Sequence, residues 1–127
     1  MLVDSFRKQG VVIFDTETTG LDFNKARIIQ LAAVKVINGE VVDTFDQYIK
    51  LDISSDLELE RDFEQSQQVH HISMDKMCSG NQSAVVFSDF FDFLGDCPLM
   101  AHNLHFDKTM LRMNLWAESD NYQLLER

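Results

Sequence analysis

Val11-Val12-Ile13-Phe14-Asp15-Thr16-Glu17-Thr18-Thr19-Gly20-Leu21 is the stretch on which the fold turns. Four apolar β-formers lead, as in a buried strand. Asp15 to Gly20 then carries turn chemistry, so the strand is expected to end at Phe14. Asp15 and Glu17 stand two apart. On a strand this puts both carboxylates on one side, about 6.6 Å apart along the chain. Two acids at the mouth of an apolar strand are costly unless something pairs with them. A divalent cation taking oxygen ligands, with open positions for water and phosphate, is the natural partner. Taken alone, Asp-x-Glu is more often a pair of solvated acids at a turn.

Downstream, Arg27 to Ile37 is a second apolar stretch, expected as a strand. Asn38-Gly39 follows, a strong short hairpin signal. Val41, Phe45 and Ile49, with Asp43 and Gln47 between them, suggest a third strand with one wet face. The first half therefore reads as a three-stranded antiparallel meander. Residues 51–82 are polar, acidic and poorly periodic. They read as a long connection with a helical turn around Asp62 to Val69, and long connections are often functional. Val86, Phe87, Phe90, Phe91 and Leu94 recur at helical spacing, predicting a helix over Ser83 to Leu94 with Ser83 as its N-cap. Pro98-Leu99-Met100-Ala101 predicts a fourth strand, and Met110, Leu111 and Leu115 a second helix from about Leu104. The order βββαβα needs a parallel partner for the fourth strand, hence a mixed α/β sheet with helices packed on it.

His102-Asn103-Leu104-His105-Phe106-Asp107 joins that strand to that helix. Asn103 suits an N-cap, and Asp107 in the first turn suits the helix dipole. Capping alone would explain Asp107, core packing would explain Phe106, and local hydrogen bonding would explain His102 and His105. The weighing changes if the first and fourth strands are neighbours. The start of the second helix then faces the end of the first strand, and Asp15, Glu17 and Asp107 converge. Three carboxylates at one end of a sheet call for a cation, since like charges do not stay ionised together without one.

With these residues in view, Val12 to Leu21 resembles the first motif of the DEDD 3′–5′ exonucleases, in the branch containing the proofreading epsilon subunit of bacterial DNA polymerase III. Ala101 to Asp107 resembles the second motif, and His70-His71-Ile72-Ser73 a His-Gly-Ile-Thr/Ser segment of the same family. The resemblance runs in order from about Val11 to Leu115. It implies a ribonuclease-H-like fold and two-metal phosphodiester hydrolysis with Mg²⁺ or Mn²⁺. By resemblance, Asp15, Glu17 and Asp107 are the catalytic metal ligands. Thr18, Thr19, Gly20 and Leu21 lie along the terminal nucleotide, and His70 touches the substrate near the scissile phosphate. Gln65, Asn103 and Phe106 complete the expected substrate contacts. The substrate implied is a single-stranded DNA 3′ end, with RNA a weaker option, and proofreading beside a polymerase subunit is the leading role.

The sequence departs from the family in places. Its third motif, a His followed five residues later by an Asp, is absent, because no His follows His105. The expectation is a single exonuclease-like domain over 1–127 that is C-terminally incomplete and impaired, since general base catalysis typically contributes about 10²–10⁴-fold. A base from His70, His71, His102, His105 or a partner chain is the route to rescue. A truncated sheet edge favours a homodimer. The alternative is an inactive nuclease-fold module binding a nucleic-acid end or a polymerase partner. His71 stands where the family commonly has Gly. Gln65 replaces a Glu and cannot be a charged acceptor.

Composition limits the remaining choices. One hundred and twenty-seven residues argue for one domain. A net charge of −10 argues against a non-specific nucleic-acid binder, yet suits an enzyme whose metal ions supply positive charge. The excess is uneven, with six acids and one Arg between Asp52 and Glu64. That segment reads as a solvated loop, or as a surface for a basic protein. No apolar run reaches the roughly 18 residues of a membrane helix, and the first residues show no secretory pattern. Cys78 and Cys97 are too few for a disulfide framework, so a cytoplasmic setting is expected. Trp116 and the six Met read as core or interface filler.

Overall fold

The computed structural model describes residues 10–117. Strands β1 (Val11–Thr18), β2 (Ile28–Ile37) and β3 (Glu40–Tyr48) form the antiparallel meander, and β4 (Leu99–Met100) pairs parallel with β1. The sheet order is β3-β2-β1-β4, a mixed sheet with helices, as the strand signals require. Asn38 and Gly39 both have positive φ, 54° and 80°, the conformation a two-residue hairpin turn needs.

β1 does not stop at Phe14. It continues through both acids, with Asp15 opposite Ala32, Thr16 opposite Leu31 and Glu17 opposite Gln30. Backbone pairing to β2 overrides the turn propensity of Asp15-Thr16-Glu17, because alternation turns only Thr16 into the core. A register shift between Glu17 and Thr18 then ends the regular ladder. In β3, Phe45 is buried and so is Ile49 just after it, but Val41 is exposed. A second register shift pairs Val36 with Val41 and Lys35 with Asp43. Val42 is the additional residue, and the expected alternation breaks there.

One face of the sheet carries the main core. Helix α3 (Ser83–Leu94) buries Val86, Phe87, Phe90, Phe91 and Leu94, and its Phe90 ring packs 6.0 Å from Phe14 and 5.5 Å from Phe45. Each such burial contributes roughly 2 kcal/mol. Ser83 is the first helical residue, not the cap. Gln82 holds the extended cap conformation without a side-chain bond, and its carbonyl accepts from the Val86 N–H. Helix α4 (Leu104–Ala117) adds Met110, Leu111 and Leu115 to the same core. Met77 is also buried, whereas Met100 is half exposed. The Trp116 side chain and Met1 lie outside the described residues.

The segment 51–82 is more ordered than its polarity suggests. Helix α1 spans Leu57–His70 and a short α2 spans Met74–Cys78, in place of one helical turn over Asp62 to Val69. Asp56 caps α1 by accepting from the Leu59 N–H at 3.0 Å, and Glu58 and Glu60 suit its N-terminal dipole. Phe63 is the one buried residue of α1, while Leu57 and Val69 are exposed, so no apolar stripe announces the helix. A second cluster of Ile29, Phe63, Ile72 and Met77 fastens these helices to β2.

Candidate active site

Alternation along β1 sends Val12, Phe14 and Thr16 into the core and Asp15 and Glu17 to the other side. β4 runs parallel beside Val12 and Ile13. Ala101 to Asn103 therefore lead α4 in alongside the second half of β1. Asn103 caps the helix: its carbonyl accepts from the Asp107 N–H at 2.9 Å, and its Oδ1 takes a long contact of 3.4 Å from the Phe106 N–H. Asp107 is buried, and its Oδ1 accepts from the Thr16 hydroxyl at 2.7 Å.

Asp107 and Glu17 feel one another and Asp15 electrostatically. Burial first, then the charges of Asp15 and Asp107, raise Glu17 above the ordinary carboxyl range, with His71 opposing. Burial also raises Asp107, and Asp15 adds to this, while the Thr16 hydroxyl and His102 oppose. Among the described residues, however, no three His, Cys, Asp or Glu side chains are arranged to hold a metal ion. The three carboxylates lie within electrostatic range of one another. Asp107 is held through Thr16, on the core side of β1, while Asp15 and Glu17 leave from the other side. The donor set itself, three carboxylates and no sulfur, fits a hard divalent cation.

The expected substrate residues separate into two groups. Thr19 is buried and closes the loop after β1: its hydroxyl accepts from the Arg27 N–H, and its own N–H donates to the Arg27 carbonyl, both at 2.9 Å. Thr18 donates its hydroxyl to the Gly20 carbonyl at 2.7 Å. A Cβ at Gly20 would meet nothing within 4 Å, and Leu21 is 82% exposed. The loop therefore presents an open, apolar-tipped edge beside the acids. Phe106 packs on Phe23 of this loop at 5.5 Å.

On α1, Gln65 is exposed. His70 is committed locally. Its Nδ1 accepts from the Ile72 N–H at 2.9 Å, so Nε2 carries the proton and lies 2.9 Å from the Ser66 hydroxyl oxygen. Burial, and then His71, lower its pKa. His71 takes the left-handed conformation at the α1 C-cap, φ 58°, a place that favours Gly, and it is the histidine that acts on Glu17.

Two positioning residues escaped the sequence reading. Thr16 sits between the two acids, and its strand parity was the available signal. Asn114 is a buried polar residue among Met110, Leu111 and Leu115. Its Oδ1 accepts from the Ile28 N–H at 3.0 Å, and its Nδ2 donates to the carbonyls of Ala26 at 3.2 Å and Met110 at 3.0 Å. It thereby ties the far end of the loop after β1 to α4.

Comparison with known proteins adds three findings. The sequence model of the family described as "Exonuclease" (RNase_T) matches residues 12–125. The PolC-type DNA polymerase III of Staphylococcus aureus is 38% identical over 96 residues, covering 76% of this chain and 6% of that protein. The chain thus spans a small fraction of the curated relatives it matches. Two solved folds superpose well. Escherichia coli exonuclease I in complex with a dT13 oligonucleotide gives a TM-score of 0.72 at 15% identity, covering 86% of this chain and 24% of that one. The nuclease domain of 3′hExo, a DEDDh family member bound to rAMP, gives 0.72 at 19% identity, covering 91% and 62%.

Proposed function

This chain belongs to the RNase_T exonuclease family, and from that premise we propose that it acts on the 3′ ends of single-stranded DNA as a metal-dependent 3′–5′ exonuclease. One observation carries the reading: the Thr16–Asp107 hydrogen bond draws the start of α4 to the acid-bearing end of β1. Asp15, Glu17 and Asp107 would hold Mg²⁺ or Mn²⁺. When bound, two such ions activate water and neutralise charge developing on the phosphate.

The chain's own residues orient the strand. Leu21 offers an exposed apolar side chain to the terminal base, and the open space at Gly20 admits a nucleotide backbone. Phe106, resting on Phe23, supports that loop from α4. Asn103 serves substrate binding by holding the helix start. Thr18 and Thr19 hold the loop in the shape that receives the nucleotide. His70, whose pKa burial lowers, acts by shaping the turn that carries His71 into electrostatic range of Glu17. No His follows His105 in this sequence, so turnover by the 127 residues unaided is expected to be slow. Similarity to a polymerase III chain supports a proofreading role beside a polymerase. A second reading is a nuclease-fold module that binds a DNA end through the same carboxylates without cutting, which the lack of a His after His105 in this sequence favours.

Digestion of a 5′-labelled single-stranded oligonucleotide with Mn²⁺, beside Asp15→Ala and with Mn²⁺ binding followed by calorimetry, tests this. A ladder shortening from the 3′ end and lost in the variant is the expected result. Metal-dependent binding of the DNA without cutting would select the second reading. Absence of any Mn²⁺ affinity above that of Asp15→Ala would sink both.

A further inference from the structure

One face of α4 differs in charge from the rest of the molecule. Leu104, His105, Lys108, Thr109 and Arg112 line an open groove of about 390 Å³. The chain carries a net charge of −10, yet between Cys97 and Ala117 its one acid is Asp107, which is buried and turned toward Thr16. His105, Lys108 and Arg112 recur at spacings of three and four, which stacks them on one side of the helix over about 10 Å. Two cations elsewhere are engaged: Lys25 pairs with Glu58 and Asp62, and Lys35 lies over the Phe93 ring. Among the described residues, no carboxylate stands within ion-pair distance of Lys108 or Arg112.

The groove adjoins the candidate site. His105 meets Phe23 edge-on at 6.4 Å, in the loop that Thr19 closes, and Lys108 follows Asp107 directly. We propose that this face of α4 binds the phosphate backbone of single-stranded DNA, holding the strand behind the 3′ end that enters the carboxylate site. The assignment rests on the nuclease reading and adds a second, sequence-independent contact to it. Strong negative charge elsewhere repels a polyanion, so a basic strip that no described carboxylate pairs sets the direction of approach. It also lets a chain this acidic retain a nucleic acid, which bulk charge alone would forbid.

The test is fluorescence anisotropy of a labelled oligothymidylate with the full chain in EDTA, where metal-dependent cutting is suspended, as a function of salt. The variants are Lys108→Gln with Arg112→Gln, and the charge-preserving pair Lys108→Arg with Arg112→Lys. The neutral pair is expected to bind about tenfold more weakly, with a log–log salt slope shallower by about 1.4, at about 0.7 per lost single-strand phosphate contact. The charge-preserving pair should bind as the native chain does. Equal affinity and slope in the neutral pair would overturn the groove and leave the nuclease reading to its own test with Asp15→Ala. Absence of oligothymidylate binding by the native chain would overturn the groove outright. So would equally tight binding of a Glu-rich peptide lost in the neutral pair, which would assign the face to an acidic protein.

Discussion

The Thr16 hydroxyl and the Asp107 carboxylate meet at 2.7 Å across 91 positions of sequence. The bond joins the inward face of β1 to the first turn of α4 and is buried at both ends. Replacing Thr16 by Val keeps the shape and removes the donor, leaving a buried carboxylate short of a partner. The cost should be about 1–3 kcal/mol in urea denaturation. Thr16→Ser should recover most of it, and an unchanged midpoint for Thr16→Val would show the bond to be idle.

Glu17 and Asp107 both have raised pKa values, chiefly from burial. A carboxyl whose folded pKa lies above its unfolded one binds protons more tightly when folded. Its stabilisation is present below the unfolded pKa, near pH 4, and is lost as pH rises through the folded value. Metal-free protein should therefore lose melting temperature from pH 4 upward relative to a Glu17→Gln, Asp107→Asn variant. Parallel curves for the two proteins would contradict the shifts.

His70 has the opposite sign. Its pKa is lowered by burial and by His71, so its stabilisation is present above the unfolded pKa and is lost as pH falls through the folded one. Nitrogen-15 spectra should show the tautomer protonated at Nε2 at neutral pH, with titration below the ordinary histidine value. A ring titrating as a free imidazole would separate His70 from Ser66 and Ile72.

Asn114 satisfies one N–H and two carbonyls. Asn114→Leu should cost about 2–3 kcal/mol, since the Ile28 N–H and Ala26 carbonyl are left without it. Proteolysis should then nick the loop between Gly20 and Arg27 faster than in native protein, and equal nicking rates would mean that other contacts hold the loop.

Gly80 lies against the backbone of β3, where a Cβ would come 2.5 Å from the Tyr48 carbonyl oxygen. Gly80→Ala must push α2 away from the sheet edge and should lower stability by about 1–3 kcal/mol. A melting temperature equal to that of the native chain would show that the edge yields freely.

Local periodicity and turn chemistry by themselves determined the meander, the Asn38-Gly39 hairpin, the apolar face of α3 and the α4 start at Asn103. Each depends on neighbours a few residues apart, so the sequence carries it directly. Asp15, Glu17 and Asp107 were legible as candidates because acids beside apolar strand residues demand a partner. Helix α1 was legible only as a turn over Asp62 to Val69, since its stability rests on the Asp56 cap and one buried Phe63 rather than on an apolar stripe. Only the tertiary structure decided that β1 runs on through the acids, because strand pairing is a property of β2 as much as of β1. It alone decided that His70 is tied to its own turn while His71 comes within electrostatic range of Glu17, and that Asp107 is held through Thr16. Side-chain partners remote in sequence are chosen by packing, and no local pattern records that choice.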